Sequence, residues 1–175
     1  HRAIMVQHRA DAFVKTGLKG YRTRRDFPGE AHVSMLSPHL ALGEISPAAV
    51  WDATRDLPVD YSTEDYIHFR KELVWRDFSY HLLFHFPELA RKNWNAKFDG
   101  FPWKHAPEKL KAWQKGQTGY PIVDAGMRQL WQTGWMHNRV RMIVASLLCK
   151  HLRVDWVEGA RWFWDTLVDA DLANN

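Results

Sequence analysis

Charged and amide side chains lie beside an apolar helical stripe in residues 136–152. The stripe recurs at spacings of three and four residues, which predicts a buried helix face made of Val140, Ile143, Val144, Leu147 and Leu148. Asn138 and Arg141 flank it, and a guanidinium this close to a core needs an acceptor, because an uncompensated buried charge costs several kcal/mol. The carboxylates of Asp169 and Asp171 could supply it, either as a structural ion pair or as part of a site.

A second group of reactive side chains lies on a long aromatic helix that Ser62 is expected to cap and Pro87 to stop. Its buried side is predicted to hold Tyr66, Phe69, Leu73 and Phe84. A neighbouring stripe at helical spacing contains Glu72, Trp75, Arg76 and Ser79. An indole beside a carboxylate and a guanidinium can stack on bases and bind their edges, or it can be an aromatic residue with a charged rim.

Hydroxyls and cations that suit phosphate groups occur in the first fifty residues. Residues 21–30 lack periodicity and contain Arg22, Arg24 and Arg25, which predicts a loop able to hold phosphates. Ser37-Pro38 and Ser46-Pro47 predict two helix starts, with Ser as the N-cap and Pro as the first helical residue. Because helix N-termini attract anions, Ser34 and Ser37 either cradle a diphosphate or act as ordinary turn and cap residues.

Composition limits the class of protein. A chain of 175 residues suffices for one domain with a sizeable core, and no apolar run reaches the roughly 18 residues needed to cross a bilayer. Ten Trp, a net charge of +4 and a pI near 9.3 favour a polyanionic, aromatic-stacking partner such as nucleic acid. The single Cys149 cannot form an internal disulfide, and the His residues show no metal-ligand spacing.

Helical periodicity dominates, and no parallel-sheet pattern, repeat or linker interrupts it. The pattern predicts one all-α domain over residues 1–175. Its first helix is expected from Ala3 to Leu18, with an apolar face made of Ile4, Ala10, Phe13 and Val14.

Six ordered motifs add a specific resemblance. They read YRTRRDF, SMLSPHLALGEISP, KELVWRDF, GYPIVDAGMRQL, GWMHNRVRM and LVDADLANN. Together they resemble the helical FAD-binding domain of the photolyase/cryptochrome family, most closely that of class I cyclobutane pyrimidine dimer photolyases. The resemblance implies a fragment truncated at both ends, without the N-terminal α/β antenna domain and without the family's WQW-containing segment, which would hold the inner member of a Trp triad.

The implied activity is a light-driven carbon–carbon lyase that uses reduced FAD to split pyrimidine dimers in damaged DNA. A folate or deazaflavin antenna chromophore is expected on the missing domain. The resemblance also implies an intracellular monomer, in the cytoplasm or nucleoid if bacterial, without a membrane and without an obligate protein partner.

The resemblance assigns site residues in four groups. FAD would be bound by Tyr21, Val33, Ser34, Met35, Leu36, Ser37, Phe69, Glu72, Arg76, Ser79, Asn138, Arg141, Asp169, Asp171 and Asn175. The lesion pocket would contain Glu72, Trp75, Trp135, Asn138 and Met142. DNA would contact Arg25, Glu72, Trp75 and Arg139, and electrons would pass through Trp103 and Trp156. Val33 replaces the family's usual Thr, which removes one hydroxyl contact, and Asn175 takes the position beside flavin N5.

Two other classes of function remain open. A cryptochrome-like photoreceptor would share the fold and FAD, and Asn175 with Glu72 and Trp75 argues against it. A helical nucleic-acid-binding module without a cofactor would explain the charge and the Trp content, but not Arg141, Asp169 and Asp171 in one core.

Overall fold

The computed structural model describes residues 2–55 and 63–174. The helices are α1 (Arg2–Ala12), α2 (Tyr21–Arg24), α3 (Ser37–Ala41), α4 (Pro47–Ala53), α5 (Thr63–His85), α6 (Pro107–Gln114), α7 (Pro121–Thr133), α8 (Asn138–Ser146) and α9 (Trp156–Thr166). π-helical turns follow α1 and α8, at Phe13–Gly17 and Leu147–His151, and short 3-10 turns occupy Pro87–Ala90 and Ala96–Phe98. These residues contain no strand, and the predicted all-α class is confirmed.

The chain divides into two compact units, His1–His81 and Leu82–Asn175, and α5 runs through the boundary between them. Among the described residues, no helix is both long and apolar enough to span a bilayer. The single domain over residues 1–175 stays a prediction.

The core of the first unit forms around three aromatic rings. Phe13, Tyr21 and Phe69 pack against one another with ring centroids 5.1 to 5.9 Å apart. The other buried members are Val6, Ala10, Val14, Leu18, Leu36, Ile45, Val50 and Leu73. The predicted burial of Ile4 is wrong, because its side chain is 59% exposed. The buried face of α1 contains Val6 and Ala10, which are four residues apart. Ile4 precedes Val6 by two residues, so it points to the opposite side of the helix.

Helix α2 corrects the prediction of an irregular loop over residues 21–30 for its first four residues, whereas residues 25–30 lack regular structure as predicted. Its first N–H groups are satisfied by a distant carboxylate, since Gly20 N and Arg22 N donate to the two oxygens of Asp65, at 2.8 and 2.9 Å. Two of the predicted phosphate-binding cations are paired with carboxylates of the chain, Arg22 with Glu64 and Arg24 with Glu30.

The two predicted helix starts differ. Ser46 caps α4 as expected, because its hydroxyl accepts from Ala49 N at 3.1 Å and Pro47 is the first helical residue. The other helix begins one residue early, since Ser37 is already inside α3 and Leu36 occupies the N-cap position. The Ser37 hydroxyl therefore makes no capping bond.

Helix α5 ends at His85 before Pro87, as predicted, whereas Ser62 lies outside the described residues. Phe69 and Leu73 are buried and Tyr66 packs at the edge of the core. The predicted burial of Phe84 is wrong, because that ring is 82% exposed. A helical stripe predicts which residues share a face, but it does not show where along a long helix the neighbouring elements stop packing against that face.

The second unit packs α6 to α9 around Trp113, whose Nε1 donates to the carbonyl oxygen of Val144 at 2.9 Å. Its other buried apolar members are Val123, Met127, Leu130, Met136, Val140, Leu147, Leu148, Val154 and Leu167. Helix α9 approaches closely at Gly159, where an added Cβ would lie 2.6 Å from a methyl group of Leu148. The predicted stripe is buried with one exception, since Ile143 is exposed.

Asp124 organises the turn that precedes α7. Its carboxylate accepts hydrogen bonds from Thr118 N at 2.8 Å, Thr118 Oγ1 at 2.6 Å and Gly119 N at 2.9 Å. Burial acts to raise the pKa of Asp124, but these hydrogen bonds outweigh it and hold the pKa below its ordinary value.

Because the folded-state pKa of Asp124 is depressed, its contribution to stability is present above the unfolded pKa of about 3.9 and is lost as pH falls through the folded pKa. We expect Asp124→Asn to lower the free energy of unfolding by about 1 kcal/mol at neutral pH. Urea unfolding from pH 7 to pH 3 checks this, with Asp165→Asn as an exposed control. The difference between the Asp124 variant and wild type should shrink at the acid end, and a constant difference would contradict the charge argument.

Candidate functional site

In the first unit, a buried guanidinium holds a carboxylate on the surface stripe of α5. Arg25 forms an ion pair with Glu72, its Nε lies 3.7 Å from Asp26, and its guanidinium lies 5.2 Å from the centre of the Tyr21 ring. Burial acts to lower the pKa of Arg25, but the hydrogen bond to Glu72 and the nearby negative charges outweigh it and raise the pKa. This geometry favours Arg25 as the group that orients Glu72, and its contact with DNA phosphates stays a prediction.

The Tyr21 ring lies under the Arg25 guanidinium. Burial raises the pKa of its phenol to about 12, with Arg25 opposing the shift and Glu72 adding to it. The hydroxyl therefore stays protonated at neutral pH and can donate a hydrogen bond, and the ring packs edge-on to Phe69.

The predicted stripe of α5 combines the exposed Trp75 with the half-buried Glu72, Arg76 and Ser79. The indole of Trp75 is 61% exposed and meets Phe78 edge to face, with centroids 5.8 Å apart. Arg76 donates from Nη2 to the Leu40 carbonyl and to the Tyr80 hydroxyl, both at 3.2 Å. The Ser79 hydroxyl donates to the Trp75 carbonyl at 2.9 Å. An open aromatic face thus lies one turn along the helix from the carboxylate of Glu72.

The predicted diphosphate segment is a bent connection into α3. Val33, Ser34 and Ser37 are half-buried, Leu36 is buried, and Met35 takes a left-handed backbone with φ of 51°. Ser34 Oγ accepts from Leu36 N only at 3.4 Å. Within the described residues Ser37 has no hydrogen-bond partner for its hydroxyl, so both hydroxyls retain capacity for a phosphate oxygen, which fits a dinucleotide such as FAD.

Sequence reasoning missed a residue beside this segment. The Nδ1 atom of His32 is buried, and it has no hydrogen-bond partner in the described part of the chain. Nothing in the spacing of the sequence distinguishes His32 from the other nine His.

In the second unit, the structure brings Arg141 and Asp169 together across 28 residues of sequence. Arg141 Nη2 lies 2.8 Å from Asp169 Oδ2, and their side chains are 17% and 2% exposed. Arg141 Nε also donates to the Met136 carbonyl at 2.9 Å. Two directed bonds therefore hold the guanidinium in one orientation, where its charge can stabilise an anionic ligand.

Asp171 closes the turn that follows α9. Its Oδ1 accepts from the backbone N–H groups of Ala173 at 2.9 Å and Asn174 at 3.2 Å, and the side chain is buried. The flavin contact assigned to Asp171 stays a prediction, and the contact assigned to Asn175 lies outside the described residues.

The first turn of α8 presents polar side chains to solvent. His137, which sequence reasoning did not assign, caps the helix by accepting from Arg139 N at Nδ1, 3.1 Å away. Asn138 and Met142 are exposed, and Arg139 Nη1 lies 3.4 Å from the Met142 sulfur. The half-buried ring of Trp135 meets His137 edge-on. Met142 also borders a groove of about 490 Å³ whose other walls include Tyr120, Ile122, Ile143, Ser146 and Lys150.

Both predicted electron-transfer residues lie in the second unit and are half-buried. Trp103 packs against Phe101 with ring centroids 4.4 Å apart. The indole N–H of Trp156 donates to Asn93 Oδ1 at 3.1 Å. The residue spacing in the sequence did not predict this hydrogen bond. A backbone hydrogen bond from Lys104 N to the Arg153 carbonyl, at 2.7 Å, joins the residue after Trp103 to the segment just before Trp156.

Comparisons with known proteins agree with one another. The family described as the FAD binding domain of DNA photolyase matches residues 69–175. A relative from Agrobacterium fabrum, named deoxyribodipyrimidine photo-lyase, is 64% identical over 165 residues, which is 94% of this chain and 34% of that protein. A crystal structure of a bacterial class III photolyase from Agrobacterium tumefaciens aligns with a TM-score of 0.95 and 61% identity, over 98% of this chain and 36% of that chain.

A cryptochrome structure from Synechocystis sp. is also similar, with a TM-score of 0.88 and 34% identity over 98% of this chain and 36% of that chain. The chain spans about a third of the length of the curated relatives that it matches.

Proposed function

The chain belongs to the family of the FAD binding domain of DNA photolyase, and on that premise we propose that it forms the flavin- and lesion-binding part of a light-driven DNA repair lyase. The proposed substrate is a cyclobutane pyrimidine dimer in DNA. Bound reduced FAD would supply the electron that opens the cyclobutane ring. The same proposal includes a folate or deazaflavin antenna chromophore and an intracellular location. It also includes a monomeric protein without an obligate protein partner.

Several of the residues that the resemblance assigns would hold FAD. Tyr21, Ser34 and Ser37 would donate hydrogen bonds to the diphosphate, and the neutral phenol of Tyr21 supports that role. Arg141, kept in place by Asp169 and by the Met136 carbonyl, would stabilise the negative charge of the reduced flavin.

The single observation that carries the repair function is the open indole of Trp75 beside the carboxylate of Glu72, which the buried Arg25 holds. A flipped pyrimidine needs a face to stack on and an acceptor for its N–H groups, and these two side chains supply both. Asn138 and Met142, exposed at the start of α8, are proposed as further lesion contacts, with Trp135 beside them. Arg139 is proposed to contact a phosphate, where charge determines affinity and base identity does not.

A repair assay tests the proposal. The full-length protein, loaded with FAD that is then chemically reduced and mixed with an oligonucleotide that contains one thymine dimer, should restore the two thymines under blue light and not in the dark. Flavin absorbance without repair would favour a photoreceptor of the cryptochrome type. Absence of visible absorbance in the purified protein would favour a cofactor-free nucleic-acid-binding module.

A further prediction concerns Trp156, which we propose as a member of the relay that returns oxidised FAD to its reduced form. In the full-length protein, Trp156→Phe should slow photoreduction about tenfold, equivalent to about 1.4 kcal/mol in the barrier, because Phe is much harder to oxidise than Trp. Repair by chemically pre-reduced enzyme should stay close to wild type. Absorbance recorded during illumination measures the rates of photoreduction and of repair. An equal fall in both would mean that Trp156 is only structural.

A further inference from the structure

A continuous line of hydrogen bonds leads from the ring of Trp156 to a carboxylate. The indole N–H donates to Asn93 Oδ1 at 3.1 Å, and the amide of Asn93 donates from Nδ2 to Asp99 Oδ1 at 2.9 Å. Trp156 and Asn93 are half-buried, whereas Asp99 is exposed. All three residues lie in the second unit.

We propose that Asn93 is a positioning residue for electron transfer, which, together with Asp99, stabilises the one-electron-oxidised state of Trp156 and keeps the proton on its indole nitrogen. The inference rests on the proposed function, because it assumes that Trp156 donates an electron during photoreduction. Nothing in the spacing of Asn93 and Trp156, which are 63 residues apart, marks them as partners.

Oxidation of Trp156 places positive charge on its indole ring. Trp156 would lose one electron toward the oxidised flavin, which is the light-driven oxidant, and would become a radical cation. Trp103 would then give one electron to Trp156, and an external thiol would refill Trp103, so that each electron has a donor and an acceptor. During the oxidised interval the indole N–H carries positive charge, and its hydrogen bond to the Asn93 carbonyl becomes charge-assisted and stronger.

Asp99 reinforces this effect. A carboxylate that accepts from the amide N–H increases the negative charge on the amide oxygen, because hydrogen bonds in a chain polarise one another. The amide itself is not a base at neutral pH, so it stabilises the cation without removing its proton. An aspartate in place of Asn93 could remove it.

Two measurements test the inference on the full-length protein with isotopically labelled Trp. The first is the nitrogen–proton NMR resonance of the Trp156 indole, assigned by its loss in Trp156→Phe, which reports the hydrogen bond without reference to FAD. The second is the transient absorption of the Trp156 radical after a flash, recorded in a Trp103→Phe background so that Trp103 cannot reduce it, because cation and neutral radical have different visible bands. Asn95→Leu is the matched control, since the Asn95 side chain caps the nearby 3-10 turn by accepting from Lys97 N.

In Asn93→Leu, the indole resonance should move upfield and the yield of Trp radical should fall roughly three- to tenfold, the effect of losing one charge-assisted hydrogen bond. Asp99→Asn should cause a smaller change in the same direction. Asn93→Asp should convert the radical to its neutral form and prolong its lifetime.

Each contrary outcome has a distinct meaning. If Trp156→Phe slows photoreduction but Asn93→Leu changes neither the resonance nor the radical yield, the role of Asn93 is refuted and the relay stands. If Trp156→Phe leaves photoreduction unchanged, the relay fails, and the role of Asn93 fails with it. Equal effects of Asn93→Leu and Asn95→Leu would mean that both residues only maintain the loop conformation, which would refute the inference.

Discussion

Arg141→Met should release FAD and lower the free energy of unfolding of the full-length protein by about 3–5 kcal/mol. The Arg141 guanidinium is held by Asp169 and by the Met136 carbonyl, and the Asp169 side chain is almost fully buried. Removing the guanidinium leaves the Asp169 charge inside the protein without its counter-ion. The cost therefore exceeds that of losing an exposed pair, which is typically below 1 kcal/mol.

A double-mutant cycle separates the pair from its parts. Arg141→Met combined with Asp169→Asn should recover some of the stability lost in Arg141→Met, without recovering the affinity for reduced FAD. Arg161→Met is the control, because Arg161 and Glu158 form an exposed ion pair on α9 at 3.0 Å. Denaturant unfolding and flavin absorbance measure the two properties, and strictly additive losses would mean that Arg141 and Asp169 do not interact.

Trp75→Ala should weaken binding of a dimer-containing duplex by roughly 1–3 kcal/mol, equivalent to about 5- to 150-fold in Kd. The indole is 61% exposed, so its removal leaves no cavity in the core, and the free energy of unfolding should change little. Fluorescence anisotropy with dimer-containing and undamaged duplexes at fixed salt measures the effect. The affinity for undamaged DNA should stay close to wild type, because phosphate contacts dominate it.

Phe84→Ala provides the matched control for Trp75, since Phe84 is a more exposed aromatic residue on the same helix. It should leave lesion affinity unchanged. Trp75→Phe should restore part of the affinity, because the smaller ring still stacks. Unchanged lesion affinity in a folded Trp75→Ala protein would remove Trp75 from the pocket.

The sequence was most informative where periodicity and resemblance agreed. Three-and-four spacing predicted the buried face of Val140, Val144 and Leu147, and proline and Ser-Pro signals predicted the end of α5 and the start of α4. The pairing of Arg141 with Asp169 needed the resemblance, because spacing alone offered Asp171 equally.

Tertiary structure accounts for most of what the sequence could not predict. Ile4, Phe84 and Ile143 satisfy local helical patterns, and yet no described neighbour covers them fully. The hydrogen bonds from Trp156 to Asn93 and from Arg25 to Glu72 join residues 63 and 47 positions apart, and sequence periodicity does not report contacts at that range. The motifs resembled class I photolyases, whereas the structure with 61% identity is described as class III, so the motifs did not separate these classes.

The bonds from Gly20 N and Arg22 N to Asp65 have a consequence for ligand affinity. They join residues 45 and 43 positions apart and hold the turn that carries Tyr21 and Arg25 against α5 through contacts within the chain. Ordering a flexible side chain at the moment of binding costs about 0.5–1.5 kcal/mol, and that cost is subtracted from affinity. Since this turn is ordered beforehand, the contacts of Tyr21 and Glu72 are preorganised, and more of their interaction energy can appear as affinity for what they bind.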